Sequence, residues 1–158
     1  MRYCIEQAVF TIGDRFDIMD ASGTVLYRAE GEIFTFGKKL HVYDVNTGEE
    51  VLYIEQELFR FRPHYGITCR GSFIGTLVCE WSFFSREYSM EELGWTVTGD
   101  FFGHDYSIFK NGHPVASVGK EWFTFGDCYT VDADDPADGL SALAVTLAID
   151  CIDAQRRN

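Results

Sequence analysis

No CxxC pair occurs among Cys4, Cys69, Cys79, Cys128 and Cys151, and no Cys/His cluster has zinc-ligand spacing. A zinc ribbon, a zinc finger and a dithiol redox motif are therefore excluded. The cysteine count is odd, which fits buried free thiols in a reducing compartment. No glycine-rich phosphate loop is present; Gly71, Gly75 and Gly94 punctuate strand-like runs. Basic charge is scarce: 13 Lys and Arg stand against 25 Asp and Glu, a net charge of −12. A free-standing nucleic-acid binder needs a basic footprint that this chain lacks. The same charge opposes long-range attraction to anionic lipid and reads as a solubility feature. The opening MRYCIEQAVF has no long apolar core and no cleavage site. The longest apolar stretch, near the C-terminus, contains Asp150 and Asp153 and is too short and too charged to span a bilayer. The expected location is cytoplasmic.

What the chain does have is a repeat. Gly23, Gly48, Gly71 and Gly112 each precede an aliphatic by three residues: Leu26, Val51, Ile74 and Val115. Ten residues after each glycine stands Ile33, Leu58, Trp81 or Trp122, and thirteen after it Phe36, Phe61, Phe84 or Phe125. Position seventeen holds Leu40, Tyr65, Tyr88 and Tyr129. Fixed-period self-similarity marks a copied supersecondary unit, here strand, glycine turn, strand. Asn111-Gly112 is the strongest hairpin signal of the four. Phe10, Thr11, Gly13 and Asp14 align with Phe123, Thr124, Gly126 and Asp127, so the N-terminus reads as a truncated fifth copy. The stretch EELGWTVTGDFFGHD adds a strand, Trp95–Thr98, with a turn at Gly99-Asp100. The aromatics at the far end of each hairpin are expected to stack in layers within a barrel.

The C-terminal segment changes period. Asp135 is placed to cap a helix and Pro136 suits its first position. In GLSALAVTLAIDCID the apolar residues run nearly all round, which indicates a buried helix. Ser141, Ala142, Ala144 and Ala148 suit a confined channel. Hairpins followed by such a helix suggest a barrel with the helix threaded through it.

The stretches FTIGDRFDIMDASG, GEIFTFGKKLHVYD, VLYIEQELF, GDFFGHDYSIFKNG and VASVGKEWFTFGDCYTVD, with the C-terminal helix, carry a resemblance. In that order they resemble the LURP-one-related family of the Tubby C-terminal-like superfamily, which also includes the phospholipid scramblases. The resemblance implies a single mainly β (α+β) domain over 1–158. Its barrel would occupy 1–134 and its central helix 136–154. The expected form is a closed antiparallel β-barrel of about 12 strands around a buried hydrophobic C-terminal helix. Tubby domains bind phosphoinositides through basic side chains. The palmitoylated cysteine run and final membrane segment of scramblases are not visible in this sequence.

Chemistry is sparse. His104, Asp105 and Ser107 lie on one strand-like run, where adjacent side chains face opposite ways, so they form no triad alone. His104 reads as a structural hydrogen-bonding residue near a turn. Glu49-Glu50 and Glu91-Glu92 read as solvated turn charge. Asp132, Asp134 and Asp135 lack the terminal Glu of a calcium loop and are broken by Pro136. The expected chain therefore has no catalytic residues, no metal, no cofactor, no nucleic-acid partner and no transmembrane segment. Lys38, Lys39, Arg60 and Arg62 fall on one rim in repeat register and form a candidate anionic-headgroup patch. The expected function is a non-enzymatic binding or scaffold module with a protein partner or a lipid headgroup as ligand. The first alternative is membrane-associated phospholipid or phosphoinositide binding, as in the Tubby and scramblase relatives. The second is a small hydrolase, for which no convergent nucleophile and base stand out.

Overall fold

The computed structural model describes residues 1–6, 15–32, 36–81, 85–123 and 126–157. The truncated first repeat at 7–14, with Ile33, Phe84 and Phe125, lies outside the described residues. The strands are β1 (Arg2–Glu6), β2 (Arg15–Met19), β3 (Val25–Gly31), β4 (Lys39–Asp44), β5 (Glu50–Gln56) and β6 (His64–Cys69). They continue as β7 (Ser72–Trp81), β8 (Arg86–Met90), β9 (Trp95–Asp100), β10 (Asp105–Lys110), β11 (His113–Phe123) and β12 (Gly126–Ala133). A 3₁₀ turn at Pro136–Asp138 leads into α1 (Gly139–Arg157). Each strand pairs antiparallel with its sequence neighbours, and β1 pairs with β12 to close the barrel.

Twelve strands enclose an interior too wide for side chains alone to fill. Helix α1 fills it. From Ala142 to Asp153 every residue is buried. Small residues let the helix fit: Ala142, Ala144, Thr146 and Ala148 are fully buried. Leu143, Val145, Leu147, Ile149 and Ile152 pack against inward-facing Leu52, Ile54, Ile67, Leu77, Ile108 and Val131 in one core. Alternation along the strands supplies those inward faces, as in β4, where Leu40 and Val42 are buried while His41 and Tyr43 are partly exposed. The wall near β1 carries apolar groups on its other face too: Cys4, Met19 and Cys128 form a separate buried cluster. The helix start is as its sequence dictates, with the Asp135 carboxylate accepting from the Ala137 N–H at 2.9 Å.

Two expectations need correction. Gly99-Asp100 is not a turn but the end of β9, and the turn follows at 101–104. Gly99 has φ +139 and faces Tyr106 so closely that a Cβ would stand 2.6 Å from the Tyr106 Cα. It marks close strand approach rather than reversal. Among the described residues, the bulky ones at repeat positions ten and thirteen also do not stack inside the barrel. Leu58, Trp81, Trp122, Phe36 and Phe61 are all exposed. The residues at position seventeen fill the interior instead: Leu40, Tyr65, Tyr88 and Tyr129 are each at most 2 % exposed.

Candidate functional site

The glycine turns after β2, β4, β6, β8 and β10 all lie at one end of the barrel, with the start of α1. The opposite end gathers the loops after β3, β5, β7, β9 and β11 and the end of α1. That second end is a rim of exposed aromatic and aliphatic side chains. Phe36 is 90 % exposed and Trp122 80 %, Phe59 and Phe61 are fully exposed, and Leu58, Trp81 and Phe102 are more than two-fifths exposed. Phe59 has φ +61, a left-handed conformation costly for a bulky L-residue. A loop that holds an exposed Phe in that conformation is not optimised for stability alone. The Arg156 guanidinium, at the end of α1, lies 3.8 Å from the Trp81 ring centroid.

The four basic residues anticipated from the sequence fall at this end, but three lie beside carboxylates. Arg60 pairs with Glu57 at 3.1 Å, Arg62 with Glu80, and Lys39 reaches Glu55 at 3.9 Å. Lys38 is 8 % exposed, and its ammonium acts on the Cys151 thiol inside the barrel. The four share a rim without forming a bare cationic surface.

Beneath the rim lies a buried polar cluster. Two carboxylates one helical turn apart, Asp150 and Asp153, are 6 % and 4 % exposed. Asp153 pairs with the Arg86 guanidinium of β8 at 2.9 Å, off the hydrogen-bond direction. That guanidinium also lies 5.0 Å from the Phe101 ring centroid and 4.9 Å from that of Phe102. Asp150 accepts a hydrogen bond from the Tyr129 hydroxyl and meets His104 Nε2 at 3.3 Å. The His104 ring stacks on Tyr129 with centroids 4.1 Å apart. His104 takes φ +51 in the turn after β9, and its contact with Asp150 ties this loop to the helix. Higher up, the Tyr65 hydroxyl donates to Gln155 at 2.9 Å. Tyr65 and Tyr129 thus place their polar tips where the helix carries polar groups. The signal was legible in the sequence: two carboxylates on an otherwise apolar helix demand buried partners.

Burial pushes the Asp150 carboxyl above the usual carboxylate range, against the opposing hydrogen bonds and charge of His104 and the bond from Tyr129. A carboxyl raised on folding favours the folded state most below its unfolded value of about 4, and that contribution is lost as pH rises through the folded value. Wild type is therefore expected to gain on Asp150→Asn as pH falls from about 7 to about 4. Paired urea melts across that range check it; a constant difference would mean that Asp150 titrates as if solvated.

The thiols are poor nucleophiles. Burial pushes Cys4 to about 11 and Cys151 to about 12, and raises Cys69 and Cys79. Among the described residues, no helix is long and apolar enough to cross a membrane. No group of three or more His, Cys, Asp or Glu is arranged to hold a metal there.

A closed antiparallel barrel with a hydrophobic helix along its interior defines a class in which the protein's own chain occupies the space that other wide barrels leave to ligand or solvent. The LURP-one-related family model matches residues 1–150, and the chain belongs to that family. It is 25 % identical over 148 residues to YxjI of Bacillus subtilis (strain 168), described as uncharacterized, covering 94 % of this chain and 91 % of that one. An X-ray structure of a protein from Arabidopsis thaliana superposes with a TM-score of 0.60 at 15 % identity, over 92 % of this chain and 88 % of that one. At that identity the likeness speaks to the fold.

Proposed function

We propose that the protein is a non-enzymatic binding module that docks on a phospholipid surface through the aromatic rim. The observation that carries this reading is the gathering of exposed Phe36, Leu58, Phe59, Phe61, Trp81, Phe102 and Trp122 at one end of the barrel. Aromatic rings are favoured at a bilayer interface, where an apolar body meets headgroups. The charge distribution supports the same orientation. Asp20, Asp44, Glu49, Glu50, Glu91, Glu92, Asp134 and Asp135 cluster around the glycine turns and helix start at the other end. Arg60, Arg62 and Arg156 lie at the rim, the first two beside Glu57 and Glu80. The protonated thiols and the enclosure of the Asp150–His104 pair support a binding role over catalysis.

Because the rim cations already meet carboxylates, the aromatics should dominate membrane attachment. The protein is expected to co-float with phosphatidylglycerol-containing vesicles. Phe59→Ser with Phe61→Ser should lower the floated fraction several-fold with an unchanged melting temperature. Reversing Lys39, Arg60 and Arg62 should reduce it less. Absence of flotation with every vesicle, or flotation indifferent to the two serines, would turn the rim reading toward a protein partner or discard it.

A further inference from the structure

A second surface, on the barrel wall rather than its end, has the form of a ligand groove. Strand register fixes its floor and sides. Outward residues make two rows across four strands: Lys39, Glu55, Gly66 and Thr76 in one, His41, Tyr53, Thr68 and Phe73 in the next. Gly66 and Thr68 of β6 form the floor, with Tyr53 of β5 and Phe73 of β7 on either side. Phe36 and Leu58 close the end nearest the rim. The groove is open to solvent on its outer side and holds about 720 Å³, within the size range of small-molecule sites.

The floor depends on Gly66. A Cβ there would sit 3.4 Å from the Phe73 ring, filling the space under it. The two side walls stand two strands apart, about 10 Å at ~4.8 Å per strand. The Phe73 ring leans from β7 over Gly66, so a cation seated on the β6 floor meets its open face within the roughly 6 Å reach of a cation–π contact, with Tyr53 on the β5 side. The groove's charge selects the sign of that group. Glu55 and Glu57 line it against the one cation Lys39. Glu57 is already engaged by Arg60 and by the Thr76 hydroxyl. Glu55 is 48 % exposed; Lys39 approaches it only to 3.9 Å and the Tyr53 hydroxyl also donates to it, which leaves its exposed side open to a further cation. Phe73 is 64 % exposed, so one ring face is open to a ligand.

We propose that this groove binds a small organic cation, an alkylammonium group, held between Tyr53 and Phe73 with Glu55 as its counter-charge. The site adjoins the rim, sharing Phe36 and Leu58 with it, but its ligand contacts at Tyr53, Phe73 and Glu55 do not depend on the rim's docking. The same chemistry is offered by a free metabolite and by a choline lipid headgroup, and the test keeps them apart.

Titration calorimetry of the full chain with choline and with tetramethylammonium should give saturable binding that sodium at equal ionic strength does not reproduce. Phe73→Ala is expected to weaken it at least tenfold, and Glu55→Gln several-fold. Tyr53→Leu keeps the bulk of an outward residue and should weaken it as well. All three are surface changes, and unchanged melting temperatures would show the fold intact. Phosphatidylcholine vesicles that compete with free choline identify a headgroup site; vesicles that do not compete identify a soluble cation. No saturable binding of either ammonium overturns the proposal, as does equal binding by wild type and the three variants. Loss of vesicle flotation in the rim variants with choline binding intact separates failure of one site from failure of the other.

Discussion

A chain ended at Asp135 is expected to show no cooperative melt and to bind hydrophobic dyes strongly. The helix it lacks is the core of the barrel. Leu143, Val145, Leu147, Ile149 and Ile152 are at most 1 % exposed. Each contributes about 1.5–3 kcal/mol on burial, so the five together contribute roughly 8–15 kcal/mol. Domain stabilities are about 5–15 kcal/mol in all. Loss of the helix alone is therefore enough to remove the folded state. It also bares the inward faces of Leu52, Ile54, Ile67, Leu77 and Val131, whose cover it provides. Near-ultraviolet circular dichroism and thermal melts make the test. A soluble truncation with a sharp transition would show that the barrel collapses onto itself without the helix. A milder change, Leu147→Ala, should cost about 2–5 kcal/mol while leaving the fold recognisable.

The second large effect is expected at Arg86. Its side chain is 10 % exposed and pairs at 2.9 Å with Asp153, whose side chain is 6 % exposed. Arg86→Met keeps most of the packing over Phe101 and Tyr88 but leaves the Asp153 carboxylate buried without its counter-charge. Breaking a buried pair in this way costs about 3–5 kcal/mol. In a domain of this size each kcal/mol moves the melting temperature by about 2–4 °C, so a fall of roughly 6–20 °C is expected. Adding Asp153→Asn should restore most of the loss, because the double variant buries no net charge. Melts of both single variants and the double variant close the cycle. A loss under about 1 kcal/mol for Arg86→Met would place the pair among solvated surface bridges.

The architecture was legible because its cause is periodic. Four copies of one hairpin, spaced from Gly23 to Gly112, and one helix apolar on nearly all faces have few common solutions. The position-seventeen residues Leu40, Tyr65, Tyr88 and Tyr129 carry the repeat into the core. The fate of the other bulky positions was not legible. Trp81 and Trp122 have strand propensity and large apolar area, and hydrophobicity alone sends them inward. Trp81 ends β7 and Trp122 stands one residue from the end of β11, so both project beyond the packed interior at the barrel end, a position that strand length sets and hydrophobicity does not. The same limit applied to Lys39, Arg60 and Arg62. Repeat register placed them at one end, but Glu55 and Glu80 come beside Lys39 and Arg62 only when their strands pair, while Glu57 lies three residues before Arg60 in the chain. The link between Asp153 and Arg86 spans the interval from the end of the helix to β8 and has no local signature.

Closure through β1 and β12 has a consequence for how the chain reaches this state. The seam joins residues about as far apart as the domain allows, as in the Arg2–Asp132 pair, 130 positions apart. The filling helix follows all twelve strands in the chain. During synthesis the growing sheet therefore has two open edges and an uncovered apolar face until its last quarter emerges. Contacts of such high order form slowly, and the intermediates before them are prone to aggregate. Lys39, Glu55 and the other charges on the strands' outer faces keep those intermediates from stacking face to face. The rate at which this protein becomes native is set by when the helix arrives, more than by how well any hairpin forms.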